Sequence, residues 1–195
     1  MRIPRSAGIL ALAALIGAAK EPPMPPPPPS ETIAGLVALV PPEGWSRTAY
    51  ANAGGADLVV AFEHGADRLV IRVFGAKGSF HKTPADFFSG AGATTMGRAP
   101  EMKGEALVAG RRRALYRRRF PLMEGGPHDS SPKKPMMGTE SFCVLPPAKD
   151  GRFVVISLQR ESPIPDLERT GEKAWETFLR GVKLVAKRKN IGRKS

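Results

Sequence analysis

Two stretches of alternating apolar side chains, Asp57 to His64 and Arg68 to Phe74, flank the tetrapeptide His64-Gly65-Ala66-Asp67. Successive side chains of an extended chain point to opposite faces. Leu58, Val60 and Phe62 therefore share one face of the first stretch, and Leu69, Ile71 and Val73 share one face of the second. A short glycine-containing turn between two such runs closes a β-hairpin. A lone hairpin is at best marginally stable in water, so its apolar face needs further strands or a helix.

The rest of the chain supplies both. Arg47 to Asn52, Glu105 to Gly110, Arg113 to Phe120, Glu140 to Leu145 and Arg152 to Leu158 read as strands. Met123 to Met137 is a polar, Gly/Pro-rich loop between two of them. Thr83-Pro84-Ala85-Asp86-Phe87-Phe88 opens a short helix: Thr83 suits the N-cap, Pro84 the first helical position and Asp86 the first turn. From about Asp166 to Val182, Leu167, Ala174, Trp175, Phe178, Leu179 and Val182 recur at the helical period. The expected fold is α+β: a mostly antiparallel sheet of six or seven strands, with a short helix mid-chain and a C-terminal amphipathic helix packed on it.

Residues 1–19 have the order of a secretory signal peptide. Arg2 and Arg5 precede an uncharged small-residue run, Ala7 to Ala19, and Gly17 and Ala19 suit cleavage after Ala19. That run is too short to span a bilayer as a helix, so no transmembrane anchor is expected, and the protein is expected to be exported to a periplasm or secreted. Residues 20–32 form a proline-rich linker, whose Pro22 to Pro29 tract favours a stiff, extended spacer. A single domain is expected over residues 33–186, followed by a basic tail at 187–195. Apolar residues make up 42% of the chain, enough to bury a core without the help of disulfides, which one cysteine cannot form within the chain.

The order of these pieces resembles the PsbP-like α/β sandwich group, which includes the photosystem II extrinsic protein PsbP and DcrB-like periplasmic proteins. The carriers are Pro41-Pro42-Glu43-Gly44-Trp45, the strand pair from Asp57 to Phe74, and the Pro84-Ala85-Asp86-Phe87-Phe88 helix. They continue with Gly110 and Tyr116, then Gly151-Arg152-Phe153-Val154-Val155-Ile156, Trp175-Glu176-Thr177-Phe178-Leu179 and Val182-Lys183-Leu184. The likeness is one of pattern over most of residues 33–186. It implies a non-enzymatic accessory or binding role outside the cytoplasm, with an envelope component or another protein as partner. The group shares no catalytic residues, so none carries over.

The net charge of +12 is local. Apart from Arg2 and Arg5 it comes from two clusters, Arg111 to Arg119 and Lys183 to Lys194, and the remainder of the chain is close to balanced. On a strand, Arg111, Arg113, Arg117 and Arg119 share one face with Leu115, and Arg112, Ala114, Tyr116, Arg118 and Phe120 share the other. The row of four is a candidate anion-binding strip for a polyanion or anionic lipid, since a guanidinium makes paired hydrogen bonds to phosphate or carboxylate. The competing reading is a solvated outer face, or an edge strand guarded by charge against aggregation. The tail offers the same pair of readings, anion binding or a solubilising terminus.

Nothing else in the sequence carries a recognisable chemistry. His64, His81 and His128 are scattered, with no partner at metal-ligand spacing, and no cofactor motif is present. Cys143 sits mid-strand in Ser141-Phe142-Cys143-Val144-Leu145, where a small buried side chain is expected. Asp57, Glu63 and Asp67 bracket the hairpin without the regular spacing of a calcium loop. Three functions stand in order: a non-catalytic accessory or binding domain, an anion binder using the arginine strand and tail, and a hydrolase whose site is assembled from distant residues.

Overall fold

The computed structural model describes residues 30–51, 56–95, 97–121, 137–160 and 168–185. The expected signal segment, the proline tract, most of the 123–137 loop and the 187–195 tail lie outside the described residues.

The chain opens on two three-residue strands, β1 (Glu31–Ile33) and β2 (Val37–Leu39). A two-residue strand near the end, β10 (Lys183–Leu184), pairs with the other side of β2, so the order is β1-β2-β10. Seven further strands make the main sheet: β3 (Ser46–Ala51), β4 (Leu58–His64), β5 (Asp67–Phe74), β6 (Glu101–Val108), β7 (Arg111–Pro121), β8 (Met137–Val144) and β9 (Phe153–Arg160). Their order is β3-β4-β5-β9-β8-β7-β6, and every pairing is antiparallel. The β4–β5 hairpin forms in the register its alternation predicts, with His64 opposite Asp67 and Gly65 at a φ of 59° in the turn.

β9 is central and nearly continuously buried, because both faces of the sheet are covered there. On one face Phe62, Leu69, Ile71, Ile156 and Leu158 form a core with the helix α2 (Glu168–Gly181) and the small sheet. Trp175, Phe178, Leu179 and Val182 are the buried side chains of that end of the chain, and Phe178 stands 6.1 Å from Phe62, ring centre to ring centre. On the opposite face the helix α1 (Pro84–Ser89) sets Phe87 among Phe74, Phe142 and Phe153, with ring centres 5.7, 5.7 and 6.5 Å away respectively. The expected start of α1 is present as a full capping box. Thr83 Oγ1 accepts from the Asp86 N–H, and Asp86 Oδ2 accepts from the Thr83 N–H, each at 3.1 Å.

The α+β, mostly antiparallel architecture with two helices matches the expectation. The three-stranded sheet was not anticipated, since strands of two and three residues are too short to show a period. β6 also starts four residues before the expected Glu105. Its first turnless stretch contains Gly104, at a φ of 139°, and the pairing with β7 slips between Met102 and Gly104. That bulge interrupts the alternation that marks a strand. The reading of β7 as an edge strand is corrected: it lies between β6 and β8, hydrogen-bonded on both sides, and the sheet's edges are β3 and β6. Charge density on a strand reflects what its side chains meet, not how many neighbours its backbone pairs with.

Candidate functional site

A cavity of about 600 Å³ opens between α2 and the β6–β8 end of the sheet. Its apolar lining comes from Leu107, Leu115 and Leu158 of the sheet and from Trp175 and Leu179 of α2. Lys103, Arg112, Arg117, Arg160 and Arg180 bring cations to it, and Glu105, Glu172 and Glu176 bring carboxylates. A ligand-sized volume with an apolar floor and a few charged groups is the ordinary form of a small-molecule site.

The charges divide into those paired within the protein and those with no ion-pair partner among the described residues. Arg160 Nε lies 3.1 Å from Asp67 Oδ1 and its Nη1 3.2 Å from Glu172 Oε1. That network is packed closely under α2: a side chain at Gly171 would collide with the Asp67 carboxylate. Lys103 pairs with Glu101 at 2.6 Å, and Arg180 reaches Glu176 at 3.8 Å. Arg112 and Arg117 are exposed and form no ion pair among the described residues. Arg117 stands across the ladder from Glu101. The Glu101 carboxyl is held below its ordinary value chiefly by its hydrogen bond from Lys103 and that cation's charge, with a smaller contribution from Arg117.

Of the four arginines in the candidate strip, the structure brings only Arg117 to the cavity. Arg111 and Arg119 are exposed on the same face outside its lining, and Arg113 is half-buried, with Nε donating to the Val108 carbonyl at 3.2 Å. Arg112, which alternation assigns to the opposite face, also lines the cavity. Leu107, its cross-strand partner, and Tyr116, which alternation assigns to that same face, line the cavity too, so its lining draws on both faces of the β6–β7 ribbon.

Arg118 has a different role. Its Nε lies 2.6 Å from Glu140 Oε2, Arg72 Nη1 lies 2.8 Å from Oε1, and Gln159 Nε2 donates to Oε1 at 3.1 Å. Glu140 is fully buried. Burial alone would raise its carboxyl, but Arg72, Arg118 and the surrounding hydrogen bonds overcome that and hold it below the usual carboxylate range. Arg118 also donates to the carbonyls of Ala91 and Thr94 at 2.9 and 3.4 Å, tying the segment after α1 down over this face. The cluster is an internal tie between β5, β7, β8 and β9, and both carboxylate oxygens are occupied.

A serine, a histidine and an aspartate do meet elsewhere. Ser79 donates its hydroxyl hydrogen to Asp57 and accepts from the Gly75 N–H at 3.0 Å, and its oxygen is 2.9 Å from the His81 carbonyl. The His81 ring stands edge-on to Phe74 and Phe87, at 5.1 and 5.3 Å. Burial lowers its basicity against the pull of Asp57 and Asp86. A serine whose hydrogen is given to a carboxylate, with no histidine nitrogen to receive it, is not an activated nucleophile. Cys143 is buried in the main core, and burial pushes its thiol up to about 12, so it is not a thiolate at neutral pH. His64 is exposed and stacks on Trp45, ring centres 5.6 Å apart, and His128 lies outside the described residues. Among the described residues no three metal-ligating side chains converge.

Fold and cavity together define a mostly antiparallel α+β domain with a cationic cleft beneath its long helix. No family model matches the sequence, and no curated protein matches it. Among solved structures the chain is similar to a protein of Bacteroides thetaiotaomicron VPI-5482, with 8% identity and a TM-score of 0.41 over 77% of this chain and 46% of that one. This chain therefore spans under half of that protein's length, and no argument rests on so loose a likeness.

Proposed function

We propose that this is a binding domain that takes an anionic ligand with an apolar part in the cleft between α2 and β6–β8. The observation that carries the reading is the placement of Arg112 and Arg117, cationic and without a carboxylate partner among the described residues, at a cavity floored by Leu107, Leu115, Trp175 and Leu179. Guanidinium groups hold anions through charge-assisted hydrogen bonds, and the apolar floor takes whatever hydrocarbon the anion carries.

The test uses 1-anilinonaphthalene-8-sulfonate, an apolar sulfonate whose fluorescence rises on burial. Saturable binding is expected, weakening with salt. Arg112→Gln with Arg117→Gln should raise its Kd roughly tenfold, as expected for the loss of charge-assisted hydrogen bonds. Arg111→Gln with Arg119→Gln should change it little. If the two double variants behave alike, the cleft is not the site. Should heparin bind instead, with all four arginines contributing equally, the ligand is a polyanion lying along the strand.

The same reading places the domain outside the cytoplasm, as an accessory domain of PsbP-like type. Its support is the basic, apolar, small-residue order of residues 1–19 followed by the proline-rich spacer. In the native host the mature N-terminus should lie next to Ala19, as read by mass spectrometry of the intact protein. Soluble protein retaining Met1 would end that part of the reading.

A further inference from the structure

Between β5 and α1 the chain makes a loop, residues 75–83, whose backbone is clamped from below. Asp57, itself only 4% exposed, accepts from the Ser79 hydroxyl and from the Phe80 N–H at 3.0 Å. The Gly75 N–H is shared between Ser79 Oγ and the His81 carbonyl, each at 3.0 Å, and the Ser79 N–H reaches the Ala76 carbonyl at 2.9 Å. Gly75, at a φ of 90°, lies so close to the next loop that a Cβ there would stand 2.5 Å from the Gly151 carbonyl oxygen. The His81 ring anchors the far side of the loop against Phe74 and Phe87.

The effect of this scaffold is to hold one aromatic ring in water. Phe80 is 84% exposed, the most exposed large apolar side chain among the described residues; Met102 follows at 62%. A lone exposed apolar residue is ordinary on a pliable loop. Here a buried carboxylate holds Ser79 by its hydroxyl and Phe80 by its backbone N–H, so the ring is presented in advance of any contact. Lys77 and Lys82 flank it, both exposed. Lys149 and Arg111 lie at the same end of the sheet, the end where β5, β7 and β9 place Phe74, Arg111 and Phe153. The carboxylates nearby are engaged: Asp57 beneath the loop, Asp86 in the capping box and Asp150 with Arg152 at 2.9 Å.

We propose that the loop at 75–83 docks the protein on an anionic lipid surface, with Phe80 entering the interfacial region and Lys77 and Lys82 among the headgroups. The charge of the tip complements such a surface. Its shape also favours a bilayer over a protein: a convex tip carrying one ring offers far less than the roughly 1,200 Å² that a stable protein interface buries, whereas a bilayer needs no matching pocket. One ring and two lysines make the attachment weak and reversible.

The experiment is co-sedimentation of the full chain with vesicles of phosphatidylcholine containing phosphatidylglycerol, against vesicles of phosphatidylcholine alone. The wild type should bind the anionic vesicles preferentially. Phe80→Ser should lower its partitioning roughly tenfold or more, while its thermal melt stays that of the wild type, since the ring packs against little. Lys77→Gln with Lys82→Gln should weaken binding and flatten its salt dependence. In a Phe80→Trp chain, brominated lipid should quench the new emission beyond the wild-type level set by Trp45 and Trp175. The Arg112→Gln, Arg117→Gln chain should bind vesicles normally, which separates this proposal from the cleft. Binding that is indifferent to Phe80 and disappears on removal of residues 187–195 would assign attachment to the tail and overturn it. Absence of binding to either vesicle would overturn it too, and would leave a protein partner as the ring's use.

Discussion

Replacing Glu140 with alanine is expected to destabilise the protein by about 3–5 kcal/mol at neutral pH, the usual cost of removing one partner from a buried ion pair. The substitution leaves Arg72 and Arg118 mostly buried, facing each other without the carboxylate that joins them. It also strips Gln159 of its acceptor and opens a void in a fully buried position. Urea melts at neutral pH read the loss directly. Because three side chains share one carboxylate, the effects should not add: once Glu140 is gone, Arg118→Ala should cost less than it does in the wild type.

The same residue sets a pH signature. Its carboxyl titrates below its ordinary value of 4.5 in the folded protein, so the folded state binds that proton less readily than the unfolded chain does. The stabilisation is therefore complete above that ordinary value and is lost as pH falls through the depressed folded value. Melts of wild type and Glu140→Gln should differ most near neutrality and converge in acid. A constant gap across that range would show that the carboxylate is not the titrating group.

The parts of this fold that could be read in the sequence are those with a long enough period. β4 and β5 alternate over seven and eight residues, and the Thr83-Pro84-Ala85-Asp86 start spells out a helix cap, so both were legible. β1, β2 and β10 are held by packing and pairing rather than by local pattern, and so left little trace. The site was harder for a different reason. Alternation grouped Arg117 with Leu115 and Arg112 with Tyr116, but it cannot say that one cavity beside α2 draws its lining from both faces of the ribbon. Arg118 looked like one more cation in a run. Its partner Glu140 lies 22 residues away, and only the sheet's register brings them together. Asp57 looked like part of the hairpin, yet it bonds 23 residues ahead to the Phe80 N–H. A sequence carries the period of a strand, but which buried charge answers which is a property of the assembled sheet.

Trp175→Ala is the second large effect, expected to cost about 3–5 kcal/mol. The indole is 5% exposed and joins Phe178 and Leu179 on the face that α2 turns to the sheet, with Val182 buried just beyond the helix end. A single domain is stable by only about 5–15 kcal/mol, so this one truncation could remove much of the margin. Trp175→Phe keeps a ring in the same place and should cost markedly less, because overall volume is better preserved. The two outcomes also reach the cleft, since Trp175 lines it: in whatever fraction of Trp175→Ala remains folded, the apolar sulfonate should bind more weakly. Fluorescence provides an internal check. Trp45 is only half-buried and stacks on His64, so the blue-shifted part of the emission belongs to Trp175 and should vanish in either variant. A melting temperature unmoved by Trp175→Ala would mean that α2 turns another face to the sheet, and the cleft would go with it, because its apolar wall is that same indole.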